Sequence, residues 1–467
     1  VWIREDFRIE NNAALSYASQ NHENVIAFFI YNNNDYDNKR EAQKWWLSKS
    51  LENFKKDLSN YQINLQIIKG DELDIFSKIK KKDNVSIYWN KIYEPDVITK
   101  GKKIRDIFIK NEINFKYFKG NILNEFQEVT KNDKTPFKVF TPFWRTAEKI
   151  YLSLPPGKNY VIKKKTQIKS YFKNCITPKN ILPKKNWHKK FEKYWNVSEN
   201  DSKKRLRDLI ENKIKNYGTS RDIPSIEGTS KLSPYIKFGQ IHVGTIWKKC
   251  NEIKSKNIGY RKYINELGWR EFSHSLINYF PEFLKGNFRK EFDRFPWVKN
   301  EKSLKAWKNG MTGYPIVDAG MRELYETGWM HNRIRMVVGS FLVKHLRINW
   351  IEGEKYFRNC LLDFNKANNV AQWQWVAGCG ADAAPYFRIF NPILQGEKFD
   401  KQGLYVKKWV PELNKVPSKF IHKPWEMELK YQEAINTFIG KDYPKPIVIH
   451  EEARASALNA FQSLKKN

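Results

Sequence analysis

Glu266, Trp269 and Arg270 stand at i, i+3 and i+4, so a helix through them carries a carboxylate, an indole and a guanidinium on one face. Those three groups make a wall for a flat, polar, anionic ligand. The same face would also serve as a solvated patch of long side chains. A second face brings Asn332, Arg335 and Met336 together in WMHNRIRM, with Arg333 turned about 100° away. Ile334, Val337, Val338, Phe341 and Leu342 cover much of the rest of that helix, so its polar groups need partners. The stretch GTSKLSP, residues 228–234, offers backbone N–H groups, the hydroxyls of Thr229, Ser230 and Ser233 and the Lys231 cation to a phosphate. As a bare pattern this is weak, because most Ser-Pro helix starts bind nothing. Residues 368–400 read NNVAQWQWVAGCGADAAPYFRIFNPILQGEKFD and are poor in Lys for this chain. Trp373 and Trp375 in it would sit roughly 200° apart on a helix, and residues 378–385 read as a turn.

The elements that must hold these groups are legible in part. Apolar runs at 1–3, 25–31, 63–68, 85–89 and 114–118 alternate with helix-like segments at 40–58, 71–80 and 96–110. That alternation predicts a doubly wound, parallel five-stranded sheet with ligands at the carboxyl ends of its strands. No GxGxxG is present, so an ordinary dinucleotide site is not expected. From 125 to 200 periodicity fades, and PPG at 155–157, the Lys run at 163–165 and PKK at 183–185 mark a connector. Beyond it the pattern is helical: Ser202 reads as an N-cap before Leu206, Leu209, Ile210 and Ile214, Ser233 as a cap before Pro234. Further helices are expected over 263–280 and from Gly328 to about Leu346.

The chain has 467 residues, too many for one ordinary core. Its 84 basic against 51 acidic residues leave a net charge of +33, which favours a polyanion such as nucleic acid. Part of that excess is compositional, since Lys, Asn and Ile are abundant everywhere. Four cysteines lie far apart with no CxxC, which argues against a metal or iron–sulfur site and for a reduced, cytoplasmic setting. No run reaches the ~18 apolar residues of a spanning helix, so no membrane partner is expected. Seventeen tryptophans are many; core packing explains most, and stacking or electron transfer the others.

Taken together, EGTSKLSPY, ELGWREF, TGYPIVDAGM, WMHNRIRM and the 368–400 segment resemble the photolyase/cryptochrome family, more closely its bacterial class I cyclobutane pyrimidine dimer photolyases. The resemblance covers nearly the whole chain, with its longest motifs in the C-terminal part. It implies an α/β antenna domain (1–125), a connector (126–200) and an all-helical FAD-binding catalytic domain (201–467). It also implies light-driven repair of pyrimidine dimers in DNA by electron transfer from reduced FAD, in a monomer. A cryptochrome-like blue-light photoreceptor with the same flavin is the alternative.

Residue by residue, the resemblance implies a lesion pocket of Glu266, Trp269, Asn332, Met336 and Trp375. It implies flavin contacts from Tyr217, Thr229, Ser230, Lys231, Leu232, Ser233, Arg270, Asn332, Arg335, Asp363, Asn365 and Asn369. Trp373, Trp350 and Trp297 match an electron-hopping triad. Arg221, Arg270, Arg333 and Arg388 match cations that meet the DNA backbone. Asn369 matches the place near flavin N5 where plant cryptochromes carry Asp, and an amide there favours the fully reduced flavin. A second chromophore of folate or deazaflavin type is implied, but Tyr93-Glu94-Pro95-Asp96-Val97 lacks the Glu of folate-binding relatives. Lys231 stands where Arg is frequent, and Asn365 where many relatives carry a second Asp.

Overall fold

The computed structural model describes residues 1–36, 40–153, 160–166, 170–253, 256–383 and 387–464. The PPG mark of the connector and part of the 378–385 turn lie outside them. By its contacts the chain gathers into two compact units: Val1–Lys215 with Ser230–Pro281 and Leu362–Ala367, and Asn216–Thr229 with Glu282–Leu361 and Asn368–Asn467.

The first unit is built on strands β1 (Trp2–Ile3), β2 (Ile26–Tyr31), β3 (Asn64–Lys69), β4 (Ser86–Asn90) and β5 (Asn114–Phe118). They form one five-stranded sheet in the order β3-β2-β1-β4-β5, and every pair is parallel. The doubly wound sheet expected from the apolar runs is therefore present, and the order reverses between β1 and β4. Trp2, Phe28, Ile68, Phe76, Trp89 and Phe108 form a continuous core on it. Continuous burial along β2 and β3 explains why those strands read as unbroken apolar runs. At the carboxyl ends of β1 and β4 a cavity of about 40 Å³ is lined by Glu5, Asn90, Glu94, Lys237, Arg270 and His274 among others.

The connector holds a helix that the fading periodicity hid, Phe140–Ser153. Phe140, Phe143, Trp144 and Ala147 give it one buried stripe. Pro142 sits in its first turn, where a missing N–H leaves no intrahelical bond unmade. This helix lies against Ile258–Tyr279, which starts five residues before the expected 263 because Asn257 caps it, accepting from Tyr260 N at 2.9 Å. A Cβ at Gly268 would stand 2.5 Å from the Trp144 ring, so only glycine lets the two helices close to this distance. The cap expected at Ser202 lies one turn earlier. Ser198 accepts from Asp201 N at 3.1 Å and opens Glu199–Asp208, while Ser202 is fully buried within the helix.

The second unit is helical. The helix expected from Gly328 begins only at Asn332, after His331 caps it by accepting from Arg333 N. It runs to Ser340 and continues as a wider π turn over Phe341–His345. Trp350–Cys360 and Lys366–Ala377 follow. Gly378, at φ +92°, ends the last of these where a Cβ would be strained.

Candidate functional site

In the first unit, Glu266, Trp269 and Arg270 share one face of Ile258–Tyr279, as their spacing requires. Phe140 lies flat on the Trp269 ring, centroids 3.8 Å apart and planes 7° apart, while Phe272 meets its edge. One indole face is thus occupied and the side chain is held rigidly, although Trp269 stays partly exposed. Arg270 is partly exposed and engaged by its neighbours. It donates to Glu271 at 2.9 Å and to the Asn121 carbonyl at 2.7 Å and lines the cavity at the strand ends. Burial lowers its pKa and raises that of Glu271, so the pair is a costly, fully committed one.

The expected cap at Ser233 is also different. Ser233 is the first residue of the short helix Ser233–Lys237 and makes no cap bond; its Oγ donates to Asp363 Oδ2 at 2.6 Å. Lys231 takes the left-handed conformation, φ +49°, and the Ser230 hydroxyl accepts from Leu232 N at 3.3 Å. Burial drives the Tyr263 hydroxyl well above its usual range, first by desolvation, and it hydrogen-bonds Ser230. Asn365 bonds His274 at 3.3 Å.

In the second unit, Asn332 is exposed at the start of its helix, with Arg335 and Met336 partly buried on it. Arg335 Nε donates to the Met330 carbonyl at 2.8 Å. Arg333 Nη2 donates to Asp222 at 2.8 Å, and Arg221 Nη2 to Asn332 Oδ1 at 3.3 Å. Arg388 is exposed over the Phe390 ring, and Tyr217 is buried.

Lys366–Ala377 separates its two tryptophans as a helix must: Trp373 is 3% exposed and Trp375 is partly exposed. The Trp373 ring fits into a slot over Gly353, where a Cβ would stand 2.1 Å away. Trp307 and Phe357 meet it edge-on at 6.2 and 4.9 Å. Trp350 is equally buried and donates to Asn287 at 2.8 Å, whereas Trp297 is partly exposed beside Phe295. Among the described residues neither Trp350 nor Trp297 is in ring contact with Trp373.

Asn369 Nδ2 donates to Glu354 Oε1 at 3.1 Å and more weakly to its carbonyl at 3.3 Å. Glu354 is 2% exposed and pairs with Arg358. The amide is therefore turned so that its oxygen, which accepts from none of the described residues, faces outward from the pair as an acceptor. Glu354, Asp222, Phe140 and Gly353 are site features that the motifs did not mark. Glu354 and Arg358 at i, i+4 read as a surface pair, and Asp222 was visible only as the residue after Arg221.

Each unit carries donors of a kind that suits FAD: in the first, the Ser230 and Ser233 hydroxyls and the Lys231 cation for phosphates; in the second, the Asn369 amide oxygen for an N–H. Among the described residues no helix is long and apolar enough to cross a membrane, and no three His, Cys, Asp or Glu side chains are grouped for a metal.

Two family models match this chain: DNA photolyase over residues 1–160, and the FAD binding domain of DNA photolyase over residues 263–463. A deoxyribodipyrimidine photo-lyase of Agrobacterium fabrum is 39% identical, covering 100% of this chain and 98% of the relative. Cryptochrome-1 of Arabidopsis thaliana is 30% identical, over 99% of this chain and 70% of the relative. The crystal structure of a bacterial class III photolyase from Agrobacterium tumefaciens superposes with a TM-score of 0.93 at 39% identity, over 100% of this chain and 97% of that one. The finer expectation of a class I member finds no support in this class III neighbour. The breadth of these matches, on the fold and loop chemistry above, makes the chain a member of the photolyase/cryptochrome family.

Proposed function

We propose that this protein is a deoxyribodipyrimidine photo-lyase: it binds FAD and repairs cyclobutane pyrimidine dimers in DNA in a light-driven reaction. The observation that carries the proposal is Trp269, a rigid indole with one face on Phe140, beside Glu266 on the same helix face. A flipped-out base needs such a stacking platform next to a polar group that reads its edge. The relatives named photo-lyases over their full length support the same reading.

When bound and reduced, FAD supplies the electron that light delivers to the dimer. The chain's own residues prepare the site. Thr229, Ser230, Lys231 and Ser233, with Tyr217 alongside and Leu232 in the loop, hold the phosphates; Arg335, Asp363, Asn365 and Arg270 belong to the same cofactor set. Asn369 offers its oxygen to a flavin N–H, held in that orientation by Glu354. Glu266 hydrogen-bonds the pyrimidine edge and stabilises charge as it develops there. Trp269 and Trp375 stack on the lesion, with Asn332 and Met336 completing the pocket. Arg221, Arg333 and Arg388 meet phosphates flanking the lesion. Trp373, Trp350 and Trp297 would form the path between bound flavin and the surface, along which an external reductant could return an electron.

A light-gathering second chromophore of folate or deazaflavin type is part of the proposal, and Val97 argues against folate held in the manner of relatives with Glu there. Monomeric, cytoplasmic action and the division at 125 and 200 belong to the proposal as well. The test is illumination of reduced protein with dimer-containing oligonucleotide. Thymine absorbance should return in light and not in the dark. Repair of (6-4) products alone, or none, would overturn the proposal, and a flavin-bearing protein with no repair would favour the cryptochrome-like alternative.

A further inference from the structure

The geometry points to Asp222 as a specificity-determining residue: its carboxylate holds Arg221 and Arg333 in place and cancels one of their two charges, which restrains binding to undamaged DNA. This inference rests on the reading of these arginines as phosphate contacts. Asp222 Oδ1 accepts from Arg333 Nη2 at 2.8 Å and lies 4.0 Å from Arg221 Nε. Arg221 is fixed at its other end by Asn332 Oδ1. The Arg333 guanidinium also lies over the Phe399 ring, 4.3 Å from its centroid, and its Nε is buried without a hydrogen-bond partner. Asp222 and Phe399 together fix the plane of that fork, leaving the Nη1 hydrogens and one on Nη2 for a ligand.

The local charge is set by the same contact. His331, beside these groups, is neutral at ordinary pH: burial and then the Arg221 charge push it down to about 4. Around His331 stand the guanidiniums of Arg221, Arg333 and Arg335 and the carboxylate of Asp222. The carboxylate is 29% exposed at the rim, where it repels any phosphate that approaches without engaging the fixed donors. Diffuse attraction to a regular duplex depends on net charge, whereas a phosphate presented at a kinked lesion depends on donor placement. Asp222 weakens the first and organises the second.

The test measures binding in the dark to a duplex carrying one cyclobutane thymine dimer and to the same duplex undamaged, from 50 to 200 mM salt. Asp222→Asn should bind the undamaged duplex several-fold more tightly, with a salt slope steeper by about 0.9, the value of one more neutralised phosphate. Its preference for the dimer should fall several-fold, since the undamaged duplex gains from the added net charge while the dimer duplex loses the placed donors. Asp222→Glu, which restores the charge, should bring the slope back, a rescue that a merely structural role would not give. An unchanged slope and preference in Asp222→Asn, with a wild type that does prefer the dimer, overturns the role of Asp222 alone. A wild type with no preference overturns the repair reading itself.

Discussion

Trp269 and Trp373 are both buried in large part by aromatic neighbours, yet in opposite ways. Trp269 has a parallel partner, Phe140, flat on one face, which stiffens the ring without enclosing it. Among the described residues Trp373 has edge-on ring partners, Trp307 and Phe357, and its ring is pressed into a slot over Gly353. It is 3% exposed, and among the described residues its Nε1 has no hydrogen-bond partner. A ring with a supported face and access to solvent can take a ligand. A ring enclosed on all sides, with even its polar atom unpaired, has no ligand to take but can pass an electron. On the proposed reading, the same residue type has two uses, set by what lies against its faces.

The largest expected effect comes from filling the slot. Gly353→Ala places a methyl where the Trp373 ring now is, so overpacking should cost about 3 kcal/mol. Denaturant unfolding reads this directly, and an unchanged midpoint would mean that the ring is not confined there. Next in size, Trp269→Ala should weaken dimer binding by about 1–3 kcal/mol, the worth of one stacking platform. Trp373→Phe should leave that affinity alone, and a loss in both would erase the contrast. Glu354→Gln should loosen the Asn369 amide at a cost of about 1 kcal/mol, because the carboxylate acceptor is replaced by a weaker, neutral amide oxygen. Flavin retention during dialysis checks it; unaltered retention would show that Asn369 keeps its orientation without the carboxylate. Smallest, Phe140→Leu should lower dimer affinity by about 1 kcal/mol, with Phe140→Tyr restoring it, since only an aromatic ring supplies the parallel stack.

Unbroken apolar runs and the 3.6 pattern carried much of the fold. Strands β2 and β3 sit within one residue of the apolar runs at 25–31 and 63–68, because burial on both faces leaves no polar interruption. The roughly half-turn between Trp373 and Trp375 was legible from helical geometry alone. Caps were harder: Ser198 and Ser202 are equally good by type, and only burial of Ser202 decides between them. The Phe140 helix was hidden by a Thr-Pro pair that reads as a break but lies in a first turn. The slot at Gly353 and the Asp222 clamp depend on residues 20 and 111 positions away from Trp373 and Arg333, and no local pattern reports such approaches.

The most direct test of the division between the two tryptophans is a repair assay on Trp373→Phe after chemical reduction of the bound flavin. With the electron already supplied, dimer repair in light should run at the wild-type rate, while the same variant purified with oxidised flavin should fail to become active on illumination. A chemically reduced Trp373→Phe that binds dimer DNA normally yet does not repair it would contradict the account, because Trp373 would then belong to the repair step itself.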